Sequence, residues 1–179
     1  TKTMLLVDPA STSKKASDYS AFLVGSTGEN GFYYARLAEL AKINARTEFD
    51  KYINHMVELI RHYRDITHVY IEKNTFNGAD ANQLEKSLNS DPQLRYRNIV
   101  IINELQKKNK DDKIGTIIAP INKGQIIFAE EDNEFIDQIL DFAGQQYSVH
   151  DDGPDITAEF KNRIDMIKDV NQITLFDRS

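Results

Sequence analysis

The chain has 179 residues and a formal net charge of −6, from 22 lysines and arginines against 28 aspartates and glutamates. This length fits one domain over residues 1–179, and 40% apolar with 28% charged residues excludes a disordered tail and a collagen-like repeat. The sequence has no cysteine, which excludes disulfides, cysteine-ligated zinc, iron–sulfur clusters and thiol catalysis. Any metal ion must therefore be bound by oxygen or imidazole ligands.

The sequence starts at Thr1, directly before an apolar segment and without a signal peptide or a start methionine. This start fits a processed chain or a domain excised from a longer protein, and we favour the excised domain. The longest apolar stretches, 99–102 and 117–121, are far shorter than the roughly 20 residues that span a membrane. No association with a membrane is expected.

The first part of the chain combines predicted strands with one helix. The unbroken apolar run 4–7 predicts a strand buried on both faces, which stops at Asp8-Pro9. Segments 21–24 and 32–40 predict a hairpin beside this strand. Over residues 47–63 the apolar positions are spaced by three and four, which predicts an amphipathic helix and excludes an all-β domain.

The second part continues this alternation. Residues 67–71 predict a strand that ends at Glu72, and residues 79–88 predict a helix. A further strand is predicted over 98–102, followed by a basic loop over 106–113 and a short hairpin-like segment that ends at 125–128. Helices are predicted over 135–142 and 156–167. Five or six strands with helices between and after them predict an α/β fold, a mixed sheet covered by helices.

Acidic residues follow two of these strands and precede the last helix. Ligands collect at the carboxyl ends of strands in such sheets, which is where Asp8 and Glu72 stand. A third acid can come from Asp151, Asp152 or Asp155. Counted along the apolar stripe of the last helix, Asp152 lies closest to the face that packs on the sheet, Asp155 is second, and Asp151 points away.

Clustered carboxylates repel each other unless cations neutralise them, and hard oxygen ligands select Mg²⁺ or Mn²⁺. Two such ions about 3.5–4 Å apart activate water and stabilise the leaving oxygen of a phosphodiester. Each acid alone also has a structural explanation: Asp8 can form a turn, Glu72 can be an ordinary strand-end acid, and the later acids can stabilise a helix N-terminus. Only the combination predicts a nuclease.

Three acidic segments follow one another in this chain. They are Leu5-Leu6-Val7-Asp8-Pro9-Ala10, then Val69-Tyr70-Ile71-Glu72-Lys73-Asn74-Thr75-Phe76, then His150-Asp151-Asp152-Gly153-Pro154-Asp155. In residue types, order and intervals, these segments resemble the carboxy-terminal nuclease domain of the large terminase subunit of tailed bacteriophages. The similarity extends over about residues 4–160.

The resemblance implies an RNase H-like fold that cuts concatemeric double-stranded viral DNA with two divalent ions, Mg²⁺ or Mn²⁺. It implies that Asp8, Glu72 and Asp152 are the metal-binding catalytic acids and that Asp155 is an additional ligand. It further implies the terminase small subunit and the portal protein as partners of the full-length protein, in the cytoplasm of the host cell.

This chain also departs from the family's pattern. Many relatives continue the last motif with Asp-Ala-Leu, whereas this sequence has Asp155-Ile156-Thr157-Ala158. The packaging ATPase is missing from the sequence, because no Gly-x-x-x-x-Gly-Lys-Ser/Thr motif occurs. This piece is therefore not expected to hydrolyse ATP.

Four lysines, Lys107, Lys108, Lys110 and Lys113, are predicted to contact DNA, since clustered basic side chains neutralise phosphates. A solvated loop fits them equally well. The net charge of −6 predicts weak, salt-sensitive DNA binding. His150 is a candidate proton carrier or hydrogen-bond partner of a metal ligand.

Two other functions fit the same residues. A junction resolvase would use the same scaffold, although the sequence around Asp8 and Glu72 favours the terminase resemblance. The third alternative is an acidic docking module that keeps the fold and binds packaging proteins without cutting DNA. It predicts no cleavage in Mn²⁺.

Overall fold

The computed structural model describes residues 1–10, 19–73, 76–105, 109–142 and 152–167. This part of the chain contains six strands and five α-helices, with one further turn of 3-10 helix at Arg95–Arg97. The strands are β1 (Lys2–Asp8), β2 (Ser20–Thr27), β3 (Tyr33–Ala41), β4 (His68–Glu72), β5 (Val100–Glu104) and β6 (Ile126–Phe128). The helices are α1 (Phe49–His62), α2 (Ala79–Ser90), α3 (Lys110–Asn122), α4 (Asn133–Phe142) and α5 (Asp152–Ile164).

The six strands form one mixed sheet in the order β5-β4-β1-β2-β3-β6. Strand β2 is antiparallel to both β1 and β3, which confirms the predicted hairpin, while β1 with β4, β4 with β5, and β3 with β6 pair in parallel. All strands except β2 therefore point the same way. Their carboxyl ends lie at one edge of the sheet, and Val7 pairs with Ile71 there.

Side chains alternate between the two faces of the sheet, because successive residues of a strand point to opposite sides. In β1, Leu5 and Val7 pack in the core against α1 and α2, whereas Met4 and Leu6 pack in the core under α4 and α5. All four are almost completely buried. Burying such a side chain stabilises the fold by roughly 1.5–3 kcal/mol, so β1 is the centre of both cores.

Helix α1 confirms the amphipathic pattern over 47–63. Its buried residues are Tyr52, Ile53, Met56, Val57 and Ile60, spaced by one, three and four. Among the described residues, no helix is both long and apolar enough to cross a membrane.

The prediction of a hairpin-like segment that ends at 125–128 is wrong, because α3 occupies most of this segment. Asn109 caps this helix by accepting a hydrogen bond from the Asp111 amide at 3.0 Å, and Ile114 and Ile117 are buried on one side. The adjacent β-branched residues Ile117 and Ile118 favour a strand when read alone. Packing of α3 against α5 decides for the helix.

Helix α5 crosses the sheet above β1 and β2 at very short distance. A Cβ atom placed on Gly25 of β2 would lie 2.3 Å from a ring carbon of Phe160, so only glycine permits this approach. The helix begins four residues before the predicted start at 156, and Pro154 fits in its first turn, where no intrahelical N–H donor is required. Asp152 and Asp155 therefore both lie in the first turn of α5.

Candidate metal centre

Two acids reach the same face of the sheet from neighbouring parallel strands. Asp8 ends β1 and Glu72 ends β4, each two residues after a side chain, Leu6 or Tyr70, that packs in the core under α5. Because residues two apart point the same way, both carboxylates lie on the α5 side. The apolar runs that build the centre of the sheet thus fix where these acids stand.

The third acid comes from α5. Asp155 lies in its first turn and is 3% exposed, while Asp8 and Glu72 are partly buried. One carboxylate oxygen from each of Asp8, Glu72 and Asp155 lies within 4.8 Å of the others. The close packing of Phe160 on Gly25 holds α5 at the height this arrangement requires.

The electrostatics of the group are those of acids that repel each other. The pKa of Asp8 is well above its usual value, first because of burial and then because of the charges of Glu72, Asp152 and Asp155. Burial also raises the pKa of Glu72, with a further contribution from Asp155. A hydrogen bond between the Asp8 and Glu72 side chains helps the pair to retain a proton. Metal-free, the site therefore holds more protons than separated carboxylates would.

These residues fit a hard divalent cation. The donors are carboxylate oxygens, which Mg²⁺ and Mn²⁺ prefer, and they converge from three separate elements. Asp155 Oδ1 is buried, and the Lys113 ammonium group lies 2.6 Å from it. A bound divalent cation would add positive charge to the group and reduce the repulsion that contributes to the raised pKa of Asp8.

Of the predicted acids, Asp8, Glu72 and Asp155 come together in this group, whereas Asp152 does not belong to it. Asp152 is the first residue of α5, and its charge still acts on Asp8. Asp151 and His150 lie outside the described residues.

The lysines predicted to bind DNA do not share one loop. Lys107 and Lys108 lie outside the described residues, and Lys110 begins α3 with a side chain that is likewise outside them. Lys113 is a buried residue of α3, and its Nζ atom lies 2.6 Å from Asp155 Oδ1 and 2.7 Å from Glu159 Oε1. The prediction that Lys113 lies in a basic loop over 106–113 and contacts DNA from there is therefore corrected: Lys113 lies in α3, and its buried ammonium group faces the acids.

Sequence reasoning missed Glu159, Arg163 and Glu104 near this centre. Arg163 Nε lies 2.5 Å from Glu159 Oε2, and Arg163 Nη1 lies 3.1 Å from Glu104 Oε2. The spacing of Asp155, Glu159 and Arg163 by four places them on one helix face, which was the available signal. Glu104 is also detectable as a third acid at a strand end, paired in register with Glu72.

The comparisons with known proteins agree with this architecture. No protein-family model matches the chain, and no curated protein matches it. Among solved structures, the yeast mitochondrial Holliday junction resolvase Ydc2 is similar with a TM-score of 0.53 and 11% identity, over 93% of this chain and 81% of that one. The fowlpox virus resolvase, solved with its Holliday junction substrate, is similar with a TM-score of 0.54 and 10% identity, over 92% of this chain and 99% of that one. The predicted fold class, an RNase H-like mixed sheet flanked by helices, is confirmed.

Proposed function

We propose that this protein is a divalent-metal-dependent DNA endonuclease. The observation that carries the proposal is the convergence of Asp8, Glu72 and Asp155 within 4.8 Å, from two strand ends and one helix. A lone acid at a strand end has many explanations. Burial and the neighbouring charges raise the pKa of Asp8 and of Glu72, and three buried carboxylates at the carboxyl edge of the sheet need a cation to be stable together.

Bound Mg²⁺ or Mn²⁺ ions supply an activated water and stabilise charge on the phosphodiester oxygens. For this chain, Asp8, Glu72 and Asp155 would hold the ion between β1, β4 and α5. Use of two ions requires further oxygen ligands, for which Asp152 at the start of α5 is the nearest candidate of the predicted set. Lys107, Lys108 and Lys110 remain proposed contacts to the DNA backbone.

A four-way DNA junction is the substrate that the structural comparisons favour. Both similar structures reported above are named as Holliday junction resolvases, and one was solved with that substrate. Their similarity extends over more than nine-tenths of this chain. The proposed reaction is hydrolysis of a phosphodiester at or near the branch point.

Linear double-stranded DNA is the second candidate substrate, and the sequence motifs favour it. The segments around Asp8, Glu72 and Asp152 resemble the terminase nuclease domain in residue types and intervals. On this proposal the chain cuts concatemeric viral DNA in the host cytoplasm. The full-length protein would then act with a terminase small subunit and a portal protein.

One cleavage experiment distinguishes these substrates. The purified chain is incubated with a labelled four-way junction and with a linear duplex of the same arm sequence, in Mg²⁺, Mn²⁺, Ca²⁺ or EDTA, beside Asp8→Asn. We expect cleavage in Mn²⁺ that EDTA and Asp8→Asn both abolish. Symmetric cuts confined to the junction support the resolvase, and cuts in both substrates support the terminase nuclease. Absence of cleavage in every ion contradicts both and favours the docking module.

A further inference from the structure

Lys113 is a buried cation whose charge is not stabilised by its own helix. It is the fourth residue of α3, and its side chain is 3% exposed. The N-terminus of a helix favours anions, so a lysine in this turn gains nothing from the helix dipole. An ammonium group is also costly to bury unless carboxylates surround it. Asp155 and Glu159 of α5 are the partners that hold it.

The ion pairs continue outward along α5 as an alternating series. Glu159 lies between two cations, since Oε1 is 2.7 Å from Lys113 Nζ and Oε2 is 2.5 Å from Arg163 Nε. Arg163 in turn reaches Glu104 at 3.1 Å and lies over the ring of Tyr70, 3.8 Å from its centroid. Glu159 is therefore fixed between two cations and gives Lys113 a second carboxylate partner beside Asp155.

Asp155 is shared between two competing roles. Its Oδ1 atom lies 2.6 Å from Lys113 Nζ, and the same side chain contributes to the three-acid group. Burial raises the pKa of Glu72, and the charge of Lys113 opposes this rise, so the lysine acts on Glu72 as well as on Asp155. A divalent ion bound to Asp155 would repel an ammonium group held this close.

We propose that Lys113 is a positioning residue that replaces the charge of a metal ion in the metal-free protein and competes with the ion for Asp155. The inference rests on the metal centre proposed above. Without metal, the pair with Lys113 compensates the acids and keeps the Asp155 carboxylate turned towards Asp8 and Glu72. When an ion binds, Lys113 gives up Asp155 and stays paired with Glu159.

The test measures metal binding and stability without DNA. Lys113→Met keeps an unbranched apolar side chain and removes the charge. In EDTA this variant should melt below the wild type, yet its Mn²⁺ dissociation constant by titration calorimetry should fall about tenfold, a typical coupling between two sites. Arg163→Met is the matched control, because it removes a cation of the same series that does not contact Asp155. Its dissociation constant should change by less than about threefold.

The opposite directions of the two effects identify the competition. A merely structural lysine would lower the melting temperature equally in EDTA and in Mn²⁺ and leave Mn²⁺ affinity unchanged or weaker, which overturns the proposal. If Lys113→Met does not fold, Glu159→Gln leaves Lys113 with Asp155 and should weaken Mn²⁺ binding more than Glu104→Gln does. Equal effects of those two variants also overturn it.

Failure of the metal centre has a different signature. If wild-type protein binds no Mn²⁺ into the millimolar range, the proposed function and the role of Lys113 fail together. If the wild type binds Mn²⁺, Asp8→Asn loses the binding and Lys113→Met leaves it unchanged, only the role of Lys113 fails.

Discussion

Asp80 and Asp155 are both buried acids, one on each side of the sheet, at 1% and 3% exposure. Asp80 lies in the first turn of α2 and accepts hydrogen bonds from the Tyr52 hydroxyl and the Ala81 amide, each at 2.9 Å. Neutral donors and a favourable helix dipole thus account for its charge. Asp155 instead faces Asp8, Glu72 and the ammonium group of Lys113.

The difference lies in the neighbours and not in the depth of burial. An acid surrounded by hydrogen-bond donors is already stable and has no use for a cation. An acid surrounded by other acids is stable only with added positive charge, which Lys113 supplies in part and a metal ion would complete. The α5 side of the sheet is therefore the side on which metal chemistry is expected.

The largest expected effect separates these two acids directly. Asp155→Asn should lower Mn²⁺-dependent cleavage at least about a hundredfold, because it removes a charged ligand from the centre. Asp80→Asn should leave cleavage within about threefold and reduce the free energy of unfolding by about 1 kcal/mol, since one buried donor loses its acceptor. Cleavage rates and urea denaturation measure the two quantities. Equal losses of cleavage in both variants would mean that Asp155 has no special role.

A second prediction concerns the packing that brings Asp155 to the strands. Gly25→Ala should destabilise the fold by about 1–3 kcal/mol, because its Cβ would overlap the Phe160 ring. The Mn²⁺-induced rise in melting temperature should shrink with it, since α5 moves away from β1. Gly115→Ala is the control: no atom lies within 4 Å of its added Cβ, so this helix residue should gain up to about 1 kcal/mol. Gly25→Ala with wild-type stability would contradict the close packing.

The sequence predicts those features of the fold and the site that depend on the pattern of apolar residues within one segment. The unbroken apolar run before Asp8 and the segment 67–71 before Glu72 indicated the strands, and period-two alternation places both acids on one face. Helical spacing indicated α1, α4 and α5. Long, periodic segments can be predicted without knowledge of their neighbours, because the spacing of their apolar residues identifies the buried face.

The remaining features depend on contacts between distant segments. The β-branched residues of α3 favour a strand until packing against α5 is known, and the burial of Lys113 follows from that same contact. The choice between Asp152 and Asp155 depends on where α5 begins and how closely it meets Gly25. The spacing of apolar residues within one segment does not predict how closely two distant segments pack.

Asp152 gives a third prediction, smaller than the first. Asp152→Asn should weaken Mn²⁺ binding by less than about tenfold, because Asp152 acts on Asp8 through its charge and does not belong to the three-acid group. Asp155→Asn should weaken it further. Titration calorimetry on the two variants measures the order. If Asp152→Asn weakened Mn²⁺ binding more than Asp155→Asn, the ion would lie nearer to the start of α5 than proposed.

The last prediction uses pH to separate repelled acids from paired ones. The raised pKa of Asp8 means that the folded, metal-free protein binds more protons than the unfolded chain above pH 3.8. Stability from this group is therefore present at low pH and lost as pH rises through the raised pKa. In EDTA at pH 8, Asp8→Asn should melt about 2–4 °C above the wild type for each kcal/mol of repulsion removed. The gap should close as pH falls below 3.8, where Asp8 becomes protonated in both the folded and unfolded states.

Asp65 supplies a control of opposite sign. Burial alone would raise its pKa, but hydrogen bonds from Arg36 and Thr3 lower it, so its stabilisation is present at neutral pH and lost as pH falls. Asp65→Asn should thus melt below the wild type at pH 8, and its deficit should shrink on acidification. Adding Mn²⁺ at pH 8 should raise the wild type above Asp8→Asn and leave the Asp65→Asn deficit unchanged. If Asp8→Asn instead behaves like Asp65→Asn, melting lower in EDTA and ignoring Mn²⁺, Asp8 is a structural acid and the strand ends hold no metal.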